Sequence, residues 1–324
     1  MLTQKRAQEL LEVLDEVRET HFKGRKKEYP YSEWEKKREK VKERLRNLRV
    51  YVKQAVDVLQ REHQTKGRPP VIDLEKKVLL FLYARMLNKS NRGMEELLEL
   101  FQPLFGFDVS YKTIERLYSD EEVSAALHNL FVLLLEEEGI SGNFSGDGSG
   151  YSLSVESHYR SNPRKKGKAY LYSLRIIDIE SNMYVGIGFS TRSEMDAYNK
   201  AIVLMKRNGV EINSISLDKY YSSRKVIEQF GKKVSIFVIP KKNIANFGFR
   251  WVEIFKRIAD NPVAFLTRYF LRNLSEAGFS SDKRRFGSVI RQVREERREN
   301  ALFSIAVLHN LWAIRVNPTN PNNY

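Results

Sequence analysis

In the stretch YFLRNLSEAGFSSDK, Tyr269, Arg272, Glu276 and Lys283 are separated by two, three and six residues. A carboxylate spaced among cations is either a solvated helical face or one edge of a site that handles phosphate. Two aspartates bear on that choice. Asp147 lies in SGDGSG and Asp218 in SISLDKYYS, each at the end of a predicted strand. Neighbouring strand ends form the edge where open α/β sheets place their sites. A helix packed across that edge would bring Glu276 to the two aspartates. Three carboxylates converging without a basic neighbour repel one another, and such clusters are held by divalent cations. Hard oxygen donors suit Mg²⁺ or Mn²⁺. Two such ions about 3.5–4 Å apart can activate an attacking oxygen and stabilise the leaving one in phosphoryl transfer. That chemistry needs neither a cysteine nucleophile nor a histidine base.

Each carboxylate also has a plain structural role open to it. Asp147 between glycines can be a turn residue. Asp218 can cap a helix beginning near Ser222. Glu276 can face solvent. Asp178 and Asp196 compete with Asp147, and Asp178, in mid-strand, is read as outward-facing.

The elements that must position these groups follow from periodicity. Residues 1–67 read as a basic helical region that binds DNA or a second subunit. Leu2, Ala7, Leu10, Leu11, Leu14 and Val17 line one helical face. After HFKGRKKEYP, a long helix runs from Ser32 to about His63, and QTKGRPP is a linker. Residues 68–139 carry helices in LEKKVLLFLYARMLN, NRGMEELLELFQPLF and DVSYKTIERLYSD, with Ser110 as a cap. This trio is either an ordinary helical subdomain, with Ile114, Leu117 and Tyr118 in its core, or a helix-turn-helix unit. Lys112 and Arg116 then lie at the start of its recognition helix, where bases and phosphates are met. From residue 140 the period changes to two. Three strands, with a hairpin turn at Ser181-Asn182, precede alternating helices and strands, giving β-β-β-α-β-α-β: a mixed α/β sheet flanked by helices. The catalytic unit spans 140–316, and 317–324 is a polar tail.

Composition narrows the partner. The 324 residues carry 56 Lys and Arg against 41 Asp and Glu, a net charge of +15. An excess of that size points to a polyanion, above all nucleic acid. There are no cysteines, which excludes disulfides and cysteine–zinc sites and fits a reducing cytoplasm. No apolar run approaches the roughly 18 residues of a membrane span. Basic stretches at 160–170 (RSNPRKKGKAY) and after the last strand (PKKN) supply phosphate contacts, and DKRRFGSVIRQVREERRE continues the helix of Glu276. Trp251 and Trp312 are assigned to the core.

These residues resemble a known family. Tyr269-(2)-Arg272-(3)-Glu276-(6)-Lys283 is similar to the signature on the final catalytic helix of one branch of the DDE transposases of prokaryotic insertion sequences. SEAGFSSDKRRFG and SLDKYYSSRKV resemble them too, Tyr221 falling three residues after the aspartate. The resemblance covers about residues 140–316. It implies a ribonuclease H-like core, with Asp147, Asp218 and Glu276 as a triad binding two ions. Tyr269, Arg272 and Lys283 would touch DNA near the cleaved phosphate. It further implies cleavage of element ends, joining of the 3′-hydroxyl to target DNA, double-stranded DNA as partner and a homodimer holding two ends, in the cytoplasm at the nucleoid. Glu253 in FRWVEIFKR is a rival third carboxylate, because related transposases carry theirs on an Arg-Trp-x-x-Glu helix start. Two other functions stay open: a transposase-derived DNA-binding protein without activity, and a ribonuclease H-like nuclease.

Overall fold

A five-strand path with one long central strand organises the molecule. The computed structural model describes residues 3–23, 31–59, 72–101, 108–153, 170–241 and 248–313. The central strand, β1 (Asn143–Leu153), pairs antiparallel with β2 (Tyr170–Asp178), which pairs antiparallel with β3 (Tyr184–Ser190). On its other edge β1 runs parallel to β4 (Ser214–Leu217), and β4 runs parallel to β5 (Ser235–Phe237). The order β3-β2-β1-β4-β5, with helices between the later strands, is the ribonuclease H-like fold expected from the sequence. One strand was not foreseen: β6 (Val289–Ile290) pairs parallel with Ser152 and Leu153 at the far end of β1.

β2 and β3 are buried almost throughout because helices cover both faces of the sheet. One face receives α8 (Glu194–Arg207), whose Ser193 cap accepts from Asp196 N at 3.1 Å. That places Asp196 in the first turn of α8, where a negative charge is favoured. Glycines let α8 approach: a Cβ on Gly188 would meet the Ala197 carbonyl, and one on Gly186 would meet Met205. The other face receives α12 (Asn273–Phe286) and α13 (Glu295–Trp312).

The helices before the sheet are α1 (Gln4–Val17), α2 (Tyr31–Arg46), α3 (Leu48–Asp57), α4 (Leu74–Met86), α5 (Asn91–Leu100), α6 (Tyr111–Leu117) and α7 (Glu121–Glu138). α4 and α7 pack on α13, and α3 packs on α4 and α7, so buried apolar side chains run continuously from the helices into the sheet. Arg44 ties α2 to the end of α13, donating to Ala313 O at 2.8 Å and to Glu138 at 2.6 Å. Between β4 and β5 lies the short α9 (Arg224–Ile227), and after β5 come α10 (Phe249–Asp260) and α11 (Pro262–Phe270). α1 packs against α10 and α11, with Phe22 edge-on to Phe270 at 5.0 Å.

Several expectations are corrected. The long helix from Ser32 is two helices that meet at Asn47. Asp178 is fully buried rather than outward-facing: Ser141 and Ser181 hydroxyls donate to it at 2.6 and 2.9 Å, and Ser181 N does so at 2.8 Å. It closes the β2–β3 hairpin, and Asn182 takes the left-handed conformation (φ 59°) that the turn requires. The helix of Glu276 runs only to Phe286, so residues 287–299 do not continue it. Gly287, at φ 86°, ends α12 and lets the chain turn into β6 before α13 begins. Trp251 is core as expected, whereas Trp312 is half-buried against Phe286. The linker, most of the 160–170 loop, the end of PKKN and the polar tail lie outside the described residues.

Candidate active site

Register places the two aspartates side by side. Ser145 pairs with Ser216 and Gly146 with Leu217. β4 then ends, so Asp147 and Asp218 are the next residues of two parallel chains in register, roughly 5 Å apart between backbones. Asp147 is therefore not at a strand end as expected from its glycines. β1 continues through it because β2 pairs with every residue from Phe144 to Ser152. It sits where the pairing of β1 with β4 stops and that with β6 has not begun, on an open stretch of strand edge.

Side chains alternate across a strand, so Asp147 shares a face with Ser145 and Ser149, and Asp218 with Ser216. This is the face covered by α11 and α12. Ser145 Oγ lies 3.0 Å from Ser275 Oγ, and Ser216 Oγ donates to Arg268 O at 2.9 Å. The two serines, register partners two residues before the aspartates, thus anchor the chain on either side of the α11–α12 junction. Sequence reasoning passed over them, although Ser-x-Asp recurs in both strands.

That junction corrects the single-helix reading of the four-residue signature. Tyr269 lies in the last turn of α11, Arg272 stands at the break, and Glu276 and Lys283 lie on α12. The break is a tight turn in which the amides of Leu271, Arg272, Leu274 and Ser275 each donate three residues back. Tyr269 is buried, with burial raising its pKa, and Arg272 lies 5.5 Å from its ring. Arg272 Nη1 donates to Glu276 Oε1 at 2.6 Å and lies 3.4 Å from Asp218 Oδ2. A basic neighbour thus stands among the carboxylates, which the sequence reading did not foresee.

The three acids differ in environment. Asp218 caps the turn Lys219–Tyr221 through Oδ1, which accepts from Tyr220 N at 2.9 Å, leaving Oδ2 toward Arg272. The helix near Ser222 that Asp218 was expected to cap begins at Arg224 and is capped by Ser223 instead. Glu276 is exposed on the first turn of α12. The Asp147 carboxyl is pushed up to about 6, chiefly by burial, with the charges of Glu276 and Asp218 adding and the Gly148 amide and Arg272 opposing. These mutual influences place all four groups in one electrostatic neighbourhood. Lys283 donates to Ser149 Oγ at 2.7 Å and covers the Tyr151 ring at 5.2 Å, and burial lowers its pKa.

A fourth carboxylate approaches from the opposite face. Glu194, at the start of α8, accepts from the buried Tyr221 hydroxyl and lies where a Cβ on Gly148 would be. Gly148 in SGDGSG is thus fixed by a close approach, not by a turn. The rival Glu253 is held by Arg250, whose guanidinium also donates to the carbonyls of Gly231, Lys232 and Val234. Lys112 and Arg116 are exposed one turn apart on α6, while Glu115 between them pairs with Arg297 of α13.

Behind the site lies a buried ionic cluster that no sequence motif announced. Arg175, the β2 residue opposite Asp147, pairs with Asp282 of α12, both at most 1% exposed. Asp282 also accepts from Tyr184 Oη at 2.9 Å and meets His309 Nδ1 at 2.8 Å. Burial opposes ionisation of Asp282, but His309 and Arg175 outweigh it and hold its pKa below the usual carboxylate range.

The donors at the aspartate edge are hard oxygens with an excess of negative charge, a set whose chemistry suits a divalent cation. Among the described residues no three His, Cys, Asp or Glu side chains stand close enough together to hold a metal ion. No described helix is long and apolar enough to cross a membrane.

No protein-family model matches the chain. A protein of Archaeoglobus fulgidus described as "Probable transposase for insertion sequence element ISA1214" is 60% identical over 315 residues, 97% of this chain and 98% of that protein. Identity of that depth over nearly the whole of both chains, on a ribonuclease H-like fold, settles the family: the chain belongs to the insertion-sequence transposases.

Proposed function

We propose that this transposase cleaves the ends of a DNA element and joins the freed 3′-hydroxyl to target DNA, with Asp147, Asp218 and Glu276 as its DDE triad. The observation that carries the reading is the parallel register of β1 and β4, which sets the two aspartates together on the face that the α11–α12 junction covers. Asp147, Asp218 and Glu276 would hold Mg²⁺ or Mn²⁺. When bound, two such ions supply Lewis acidity for the attacking and the leaving oxygens of a phosphodiester.

The chain's own residues do the positioning. Arg272 balances the carboxylates in the free protein. Its guanidinium would also face the scissile phosphate, which it can grip with two parallel hydrogen bonds. The buried Tyr269 ring orients Arg272 from behind. Lys283, held by Ser149 further along β1, supplies a second cation on the path of the DNA strand. Lys112 and Arg116 present charge to duplex DNA from the surface of α6, and the net charge of +15 favours that partner. Handling two element ends together calls for a homodimer. Glu253, engaged with Arg250, serves α10 and the loop before β5.

The test is strand cleavage and transfer on DNA carrying the element's ends, in Mg²⁺ or Mn²⁺. Asp147→Asn, Asp218→Asn and Glu276→Gln should each lose cleavage while retaining DNA binding, and Glu253→Gln should remain active. Activity in all three triad variants would overturn the assignment. Activity retained in Glu276→Gln but lost in Glu253→Gln would move the third carboxylate to α10.

A further inference from the structure

A second basic feature lies away from the aspartate edge. A cleft of about 290 Å³ opens where the turn between α4 and α5 meets α6 and the connection from β6 to α13. Arg85, Lys89, Arg291 and Arg297 line it, against one lining carboxylate, Glu115. Arg297 is committed to Glu115 and to Ser119 Oγ at 3.1 Å, which leaves three lining cations in excess. Lys89 and Arg291 stand exposed, Arg291 donating to Asn88 Oδ1 at 2.9 Å.

Arg85 is the unusual member. It is 2% exposed, and neither its Nε nor its Nη2 has a hydrogen-bond partner. Buried N–H groups on a permanent cation are costly to leave unpaired, so native interiors supply a partner for them. Gln292, which also lines the cleft, has a buried and unpartnered Oε1, and a half-turn of its amide presents NH₂ at the same spot. α5, ten residues long, begins at the wall of the cleft and adds the positive end of its dipole. Unpaired forked donors, excess positive charge and a helix N-terminus together describe a receptor for a tetrahedral oxyanion.

We propose that this cleft is a phosphate-binding site that grips a backbone phosphate of DNA beside α6, with none of the triad residues in its lining. The assignment of DNA as the source rests on the function proposed above. Free phosphate is the other source with the same chemistry. The cleft lies between Glu115, the neighbour of Lys112 and Arg116, and the β6 side of the sheet. A duplex on the exposed side of α6 therefore has a phosphate anchor next to it.

The full chain is tested in two arms with Arg85→Met, Arg291→Gln and Lys89→Gln. The first arm measures affinity for a random-sequence duplex over a salt series. Each variant should bind more weakly and flatten the log–log salt slope by about 0.9 for each phosphate no longer neutralised. Arg85→Met should also raise Tm, because it removes an unpaired buried cation. The second arm measures Tm against inorganic phosphate at constant ionic strength. Phosphate should stabilise the wild type and fail to stabilise the variants. If the wild type binds no DNA but shows that phosphate response, the site stands with free phosphate as its source and the DNA reading fails. If Arg85→Met does not fold, Arg291→Gln and Lys89→Gln at the rim decide. Unchanged salt slopes together with equal phosphate stabilisation of wild type and variants would overturn the site.

Discussion

Replacing Asp282 by Asn tests whether the buried ionic cluster holds the helix of Glu276 in place. Asp282 is 1% exposed and faces Arg175 at 0%. Asn is nearly isosteric but carries no charge, so the substitution leaves the guanidinium buried without its counter-ion. It also weakens the hydrogen bonds to Tyr184 Oη and His309. Removing one partner of a buried ion pair costs about 3–5 kcal/mol, because the remaining charge is uncompensated. Against a typical domain stability of about 5–15 kcal/mol that is a large fraction. Urea unfolding at neutral pH measures the loss. Replacing both partners, as Arg175→Met with Asp282→Leu, should cost less than Asp282→Asn alone, since no unpaired charge remains. The pH dependence supplies a second reading. The folded pKa of Asp282 lies below its unfolded value, so its stabilisation is present above the unfolded pKa and is lost as pH falls through the folded one. The wild type should therefore lose stability in acid more steeply than Asp282→Asn. A variant within about 1 kcal/mol of wild type, or one with the same acid profile, would refute the reasoning.

Asp147 carries the opposite sign. Its folded pKa is raised from 3.8 to about 6, so its contribution is present below 3.8 and is lost as pH rises through about 6. In EDTA, Asp147→Asn should therefore be more stable than wild type above pH 6, by at most ~3 kcal/mol, and the gain should vanish near pH 4; urea titrations at both pH values check this. Adding Mg²⁺ should raise the Tm of wild type and not that of Asp147→Asn, as a thermal scan would record. Gly188→Ala pushes a methyl into the Ala197 carbonyl of α8 and should cost ~3 kcal/mol or more, read as a lowered urea midpoint. Lys112→Ala with Arg116→Ala should weaken duplex binding and lower the salt slope by about 0.9 for each phosphate left unneutralised, measured by anisotropy.

Local pattern determined a good deal by itself. The switch from helical period to alternation at residue 140, and the order β-β-β-α-β-α-β, were legible because each strand and helix carries its own periodicity. The Tyr-Arg-Glu-Lys spacing could be read along the chain because residue types and intervals are local. The Ser181-Asn182 turn was legible because turn chemistry belongs to the residues that form it.

Tertiary structure decided what depends on partners far apart in the chain. Asp147 lies within β1, not at its end, because β2 pairs with a glycine-rich segment whose own propensity suggests a turn. Asp178 is buried because Ser141 and Ser181 satisfy it, and mid-strand position says nothing of such donors. The break at Arg272 answers to two serine anchors on β1 and β4, each more than fifty residues from its partner at the junction. The Arg175–Asp282–His309 cluster and the unpaired guanidinium of Arg85 have no sequence signature, since charge pairing and burial are properties of the assembled core. Residue types thus set which chemistry was available, while strand register and helix packing decided which groups meet.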